Sequence, residues 1–182
     1  GYDGAPAARR MPPMNDSSPA SPLIRAALIV RDLDRSRRFY GDLLGFNEEY
    51  ASGETRSAAF TTLLGQPADT LCRFQVLKQP GPSFGMIGLF EIVDPTLAAM
   101  PAPGASVASG NVLLVFYVAD LDPFVARVES YGGRLLAPIV DLASRLRSQR
   151  ELVACDPDGV RVNLIERDPA EALRTAGPGR VF

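Results

Sequence analysis

Residues 30–46 read VRDLDRSRRFYGDLLGF, and residues 118–133 read VADLDPFVARVESYGG. The second stretch echoes the first. Adding 88 to the numbers of Leu28, Val30, Asp32, Leu33, Asp34 and Gly45 lands on Phe116, Val118, Asp120, Leu121, Asp122 and Gly133. Each copy has an apolar run, an Asp-Leu-Asp turn, a helical stripe and a glycine. A further echo has an offset of 75, with Ile87-Gly88-Leu89-Phe90-Glu91 matching Val162-Asn163-Leu164-Ile165-Glu166. Two matches in the same order mean one module present twice, the second copy 13 residues shorter between these landmarks.

Each module reads as a strand, a helix and three strands. In the first, residues 24–30 are a β-rich apolar run. Asp32 or Asp34 can cap the helix that follows, because a short carboxylate accepts the free N–H groups of a first turn. Phe39, Tyr40, Leu43 and Leu44 form its apolar stripe, and Gly45 stands where a left-handed ending is needed. Strands are predicted over 46–51, 71–78 and 86–93. In the second module Asp122 is the predicted cap and Pro123 the first helical residue, with Phe124, Val125, Val128 and Tyr131 as the buried stripe and Gly132-Gly133 as the stop. Strands are predicted over 134–138, 150–155 and 160–166, the last fed by the turn Asp156-Pro157-Asp158-Gly159. Residues 52–68 are an insertion with a short helix near 57–64, serving either as a lid or as decoration.

The organisation that results is α+β. A flexible Pro/Ala/Ser/Gly arm covers 1–22, and the first βαβββ module covers 23–94. A linker covers 95–110, the second βαβββ module 111–167, and a tail with a short helix near 169–175 covers 168–182.

Composition narrows the chemistry. The chain has 182 residues, 46% of them apolar, which is enough for a real core. A formal charge of -2 gives no electrostatic reason to expect nucleic acid or an anionic membrane as partner. The absence of histidine excludes Ser-His-Asp and Cys-His catalysis and every His-ligated metal site. Cys72 and Cys155 are too few for a disulfide framework, and with no histidine to activate a thiol they read as inert and buried. No apolar run approaches the roughly 18 residues of a membrane span. Residues 1–22 lack a secretory apolar stretch, so a cytoplasmic location is expected.

The segments at 30–46 and 118–133, with DPDGVRVNLIE at 156–166, resemble the vicinal-oxygen-chelate superfamily over about residues 23–167. That group includes glyoxalase I, bleomycin-resistance proteins and extradiol dioxygenases. The resemblance implies that the two modules curl their sheets into an open cup with helices outside and a ligand inside. It also implies four metal-ligand positions, two per module, which here are Arg25, Gly88, Leu113 and Asn163. The first three have no metal-binding side chain, and an Asn carbonyl alone is a weak donor. The cup is therefore expected without a metal or other cofactor. Glu91 and Glu166 lie three residues beyond the ligand positions and read as solvated strand-end charges on the opposite face or rim.

Alternation along the strands lists the rest of the cup face: Ala27 and Ile29; Met86, Phe90 and Ile92; Val115 and Tyr117; Arg161 and Ile165. Such a mostly apolar surface with a few polar groups is the composition of a small-molecule pocket. The candidate ligand contacts are Arg25, Phe90, Leu113, Tyr117, Arg161 and Asn163. Arg25 either clamps a carboxylate or phosphate or reaches solvent and a nearby carboxylate. Arg161 does the same or lies in solvent. Tyr117 orients a ligand or is plain core. Asn163 bonds a ligand carbonyl or makes a structural hydrogen bond. Gly88 leaves space, and the face of Gln75 is open.

Three functions are compatible with these residues. One is a metal-independent lyase or isomerase acting on a small oxygenated, anionic or aromatic metabolite, although no base has a visible location. Another is a protein that sequesters a small molecule, as the bleomycin-resistance branch does. The third is a divalent-metal dioxygenase or lyase using only Asp and Glu ligands. By resemblance, a homodimer is expected.

Overall fold

The computed structural model describes residues 20–94, 96–99, 101–104, 106–143 and 148–173. Most of the expected arm and the end of the tail lie outside these. The first module runs β1 (Arg25–Val30), α1 (Leu33–Arg37), β2 (Glu48–Thr55), α2 (Ala58–Leu63), β3 (Cys72–Lys78) and β4 (Met86–Ile92). The second runs β5 (Leu113–Val118), α3 (Asp122–Arg127), β6 (Arg134–Leu135), β7 (Val140–Ala143), β8 (Ser148–Cys155) and β9 (Arg161–Glu166). A π-helical turn, Arg38–Leu43, prolongs α1, and a 3-10 turn, Val128–Tyr131, prolongs α3. A last 3-10 turn spans Pro169–Leu173.

The duplication survives in the pairing of each module's first and last strands. One sheet has the order β1-β4-β3-β2 and the other β5-β9-β8-β6, with β7 beside β8. In each, the module's first and last strands lie parallel, Arg25 opposite Met86 in one and Leu113 opposite Arg161 in the other. These pairs are related by the same offsets of 88 and 75 that relate the sequences.

Local chemistry sets the turns. Asp32 caps α1 by accepting from Arg35 N at 2.9 Å. In the copy, Asp122 does not cap. It is the first helical residue, Leu121 holds the cap position without a side-chain bond, and Asp120 accepts from Asp122 N at 2.9 Å. The Asp122 carboxylate instead faces Arg150 at 2.7 Å. Gly45 and Gly132 take the positive φ that ends each helix, +84° and +79°. β7 was not predicted. Strand β8 is eight residues long, and β6 pairs with only its last two. Pro138 lacks the N–H that would carry β6 onward, so pairing resumes at Val140 opposite Glu151.

Both sheets bury the same face in one core. Leu28, Val30 and Leu89 join Leu152, Val162 and Leu164 there, with Phe39, Tyr40, Phe124 and Val128 from the helices. Phe39 meets Phe124 edge to face, and Gly133 is glycine because a Cβ there would stand 2.6 Å from Phe39 and 2.7 Å from Cys155 O. Polar ties cross the same seam. Arg31 Nε donates to Asp158 at 2.7 Å, and Tyr40 Oη donates to Asp156 at 2.9 Å. The alternate faces are turned away from this core and the helices, and it is there that the resemblance implies an open hollow.

Candidate functional site: the open face of the two sheets

Strands β1 and β5 contribute to the hollow first, because each is paired on one side only and their other faces share the core. Arg25, Ala27 and Ile29 are exposed while Leu28 and Val30 are buried. Leu113 and Val115 are 36% and 54% exposed, against a core-packed Leu114 and Phe116. The period-2 reading of the face is therefore the observed one on both strands.

Arg25 lies along the sheet over Gly88. A Cβ at position 88 would stand 3.3 Å from Arg25 Cδ and 2.8 Å from the ring of Phe90. The room that glycine leaves is thus filled by these two side chains. Among the described residues no hydrogen bond or ion pair holds the Arg25 guanidinium. A free, planar cation on an otherwise apolar floor can accept a carboxylate or phosphate bidentately.

Phe90 is buried. It stacks on Phe74, and Phe60 of α2 lies over it at 5.8 Å between ring centroids. Phe60, Leu64 and Leu97 together cover Cys72, Phe90 and Ile92. The insertion is therefore a cover on the outer part of the first sheet. Burial pushes the Cys72 thiol up from its ordinary range, as it does that of Cys155.

Arg161 is 5% exposed, and its Nη2 donates to Gly104 O at 2.8 Å and Ser106 O at 2.7 Å. Arg134 donates to Pro103 O at 2.9 Å. The two arginines pin the inter-module linker across one end of the second sheet. At the other end Arg167 closes over Tyr117. Its guanidinium stands 4.7 Å above the ring, its Nη1 donates to the hydroxyl at 3.1 Å, and it pairs with Glu171. Arg167 continues the alternation of Arg161, Asn163 and Ile165 one step past the strand, and the sequence reading stopped short of it.

Asn163 donates through Nδ2 to Leu152 O at 3.1 Å and to Glu151 Oε2 at 3.3 Å. Gln149 donates to Glu151 Oε1 at 2.5 Å. Glu151 thus stands on the open face, flanked by Val140 opposite it on β7. This carboxylate was missed. The signal was present, since Leu152 and Ala154 are core residues and the odd-numbered neighbours must face the hollow, but the face of β8 depends on its pairing with β9.

The two carboxylates expected to be solvated are not. Glu91 is buried and pairs with Arg73 at 2.6 Å, while Glu166 accepts from Leu121 N at 3.1 Å and Arg150 at 2.9 Å. Both lie on the core face, as alternation requires, where an unpaired charge is costly. Gln75 also turns away from the hollow, donating to Glu49 at 2.5 Å.

The four positions at which the resemblance implies metal ligands carry a guanidinium, a hydrogen, an isobutyl group and one amide. Among the described residues no group of three or more His, Cys, Asp or Glu side chains could hold a metal ion. These residues do not fit a divalent cation. No helix among them is long and apolar enough to cross a membrane.

Comparison with protein families matches residues 23–164 to the Glyoxalase/Bleomycin resistance protein/Dioxygenase superfamily. No curated protein matches the chain. Among solved structures, a glyoxalase family protein from Bacillus cereus superposes with a TM-score of 0.68 at 18% identity, over 83% of this chain and 97% of that one. A glyoxalase family protein from Enterococcus faecalis gives 0.51 at 19% identity, over 79% and 96%. A glyoxylase/bleomycin resistance protein/dioxygenase domain from Frankia gives 0.50 at 22%, over 80% and 97%. At these identities the likeness is one of fold.

Proposed function

Since the chain belongs to the Glyoxalase/Bleomycin resistance protein/Dioxygenase superfamily, we propose that it binds a small oxygenated anion, aromatic or otherwise apolar at its other end, in the open hollow and without a metal centre. The observation that carries this reading is the Arg25 guanidinium, unpartnered among the described residues, on a side chain whose Cδ lies over Gly88. Leu113 and Val115 offer exposed apolar surface beside it. Tyr117 keeps its own hydroxyl proton for a ligand, because Arg167 is the donor in their bond. Asn163 keeps its Oδ1 for a ligand, because its amide nitrogen makes both of its bonds. Phe90 and Arg161 serve as scaffold in this reading, one under α2 and the other under the linker.

Sequestration and metal-free lyase or isomerase chemistry share this binding step, and turnover of a bound compound separates them. The protein acts in the cytoplasm as a homodimer in this reading. The exposed Val140 and Leu142 on β7 favour contact with a second copy, which sedimentation reads directly.

The test is titration of benzoate and phenylacetate into the wild-type protein and into Arg25→Ala, alongside elemental analysis of the purified protein. Saturable binding that weakens about tenfold or more in the variant is expected from loss of a charge-assisted pair. Equal binding by the variant, or a stoichiometric divalent ion needed for binding, overturns the reading.

A further inference from the structure

The hollow has a second polar end, in the other sheet. Glu151 and Glu48 are the carboxylates that strand alternation places on the open faces among the described residues, and Glu48 lies on the edge strand β2 paired with Lys78 at 3.5 Å. Glu151 lies inside, two strands in from β5. At the usual strand spacing that is roughly 10 Å from the strand bearing Leu113 and Val115. Each of its oxygens takes one side-chain amide, Oε1 from Gln149 and Oε2 from Asn163. Two amides fix the direction of the carboxylate but do not exhaust it, because two oxygens offer about four acceptor sites. Asn163 Oδ1 adds another acceptor beside it, with no bond among the described residues. Among the described residues no cation reaches Glu151: Arg150 is turned to Asp122 and Glu166, Arg161 to the linker, and Arg167 to Tyr117 and Glu171. Among the described residues the first sheet thus offers an unpaired cation, Arg25, and the second an unpaired carboxylate, Glu151. Ile29 in the first sheet and Leu113 and Val115 in the second add exposed apolar surface on the same open faces.

We propose that Glu151, with Asn163, is a recognition site for a hydrogen-bond donor on the ligand, so that the hollow selects small carboxylates that also carry a hydroxyl or ammonium group. This rests on the preceding reading for its anionic end at Arg25. A ligand lacking the donor leaves the Glu151 carboxylate facing apolar carbon in a partly dry site, and that loss of a water partner makes the selection.

Phenylacetate, 4-hydroxyphenylacetate and 4-(aminomethyl)phenylacetate share a ring and a carboxylate, and the last two add a hydroxyl and an ammonium at the far end of the ring, away from the carboxylate. Binding of each is measured by calorimetry or ligand-observed NMR to wild type, Glu151→Gln, Glu151→Ala and Arg25→Ala. Wild type is expected to hold 4-hydroxyphenylacetate and 4-(aminomethyl)phenylacetate about tenfold more tightly than phenylacetate, the worth of one bond to a charged group. Both Glu151 variants are expected to reduce that preference to within about twofold while leaving phenylacetate nearly unchanged, and Arg25→Ala is expected to weaken all three. Equal binding of the three compounds by wild type, or a preference that persists in both Glu151 variants, overturns this inference and leaves the anionic end standing. If no compound binds wild type, or Arg25→Ala binds all three unchanged, the anionic end fails and the inference with it.

Discussion

Replacing Tyr40 with phenylalanine removes one oxygen from the seam between the modules, and its cost can be worked from the surroundings. Tyr40 is fully buried, and its hydroxyl donates at 2.9 Å to Oδ2 of Asp156, itself 2% exposed. The other oxygen of Asp156 accepts from Asp158 N at 2.9 Å and Val160 N at 2.8 Å and so shapes the turn into β9. Loss of the hydroxyl leaves Oδ2 without a donor in a dry site. A hydrogen bond to a charged group is worth about 1.5–3 kcal/mol, so a loss of about 2 kcal/mol is expected. For a domain of this size that lowers Tm by roughly 4–8 °C.

The pH dependence identifies the cause. Burial, then the Asp156 charge, raises the Tyr40 hydroxyl well above its ordinary 10.0. A raised folded value means stability that is complete below about pH 10 and is lost as pH climbs through the folded value. Wild type should therefore lose stability above pH 10 more steeply than Tyr40→Phe. Asp156 is also raised from 3.8, by burial acting against its three donors. Its charge is thus a cost to the fold that appears as pH rises from 3.8, and the Tyr40 bond lowers that cost. The deficit of Tyr40→Phe should be largest near neutrality and shrink both in acid, where Asp156 is protonated, and above pH 10. Urea unfolding of both proteins from pH 4 to 10.5 measures it. A deficit under about 0.5 kcal/mol at pH 7, or one flat across the range, refutes the reasoning.

Two further outcomes test the covers at the ends of the hollow. Phe60→Ala removes the ring over Phe90 and should raise the rate at which a thiol reagent labels Cys72, while costing about 1–3 kcal/mol, below the usual figure for a fully buried phenylalanine because Phe60 is only half-buried. An unchanged labelling rate would mean that α2 does not shield the thiol. Arg161→Ala frees Gly104 O and Ser106 O from their donor and should speed proteolytic cleavage within residues 101–110 with little change in the melting of the sheets. Cleavage at the wild-type rate would show that the linker is held elsewhere.

The duplicated landmarks were legible because backbone-demanding residues mark them. Gly45, Gly132 and Gly159 stand at positive φ, and Asp32 caps where expected. Offsets read between such residues carried directly into strand register. The alternation of apolar residues likewise assigned the faces of β1 and β5. What failed depended on partners distant in sequence. Asp122 has every attribute of a cap, yet Arg150 stands 28 residues on and takes its carboxylate. Phe90 looks like the wall of an open site until residues 58–64 fold over it. Arg161 follows a turn, where exposure is the usual outcome, but the linker passes across it and buries it.

Glu151 joins these cases and bears most on function. At the ligand position of β9 this chain has Asn163, an amide that donates as well as accepts, and the residue it donates to is Glu151 on the neighbouring strand. A charged carboxylate in place of Asn163 would repel Glu151 unless a cation stood between them, because like charges at hydrogen-bonding distance cannot both stay ionised cheaply. The amide removes that repulsion without a cation and turns the carboxylate into a fixed acceptor. Arg25 does the converse in the first sheet, placing a permanent positive charge where a metal ligand would need a lone pair. A cation side chain thus stands at one of the four positions and an amide bound to a carboxylate at another, in different sheets. A ligand that bridged them would be an anion at one end and a donor at the other, and both groups stand at or beside positions where the resemblance implies metal ligands.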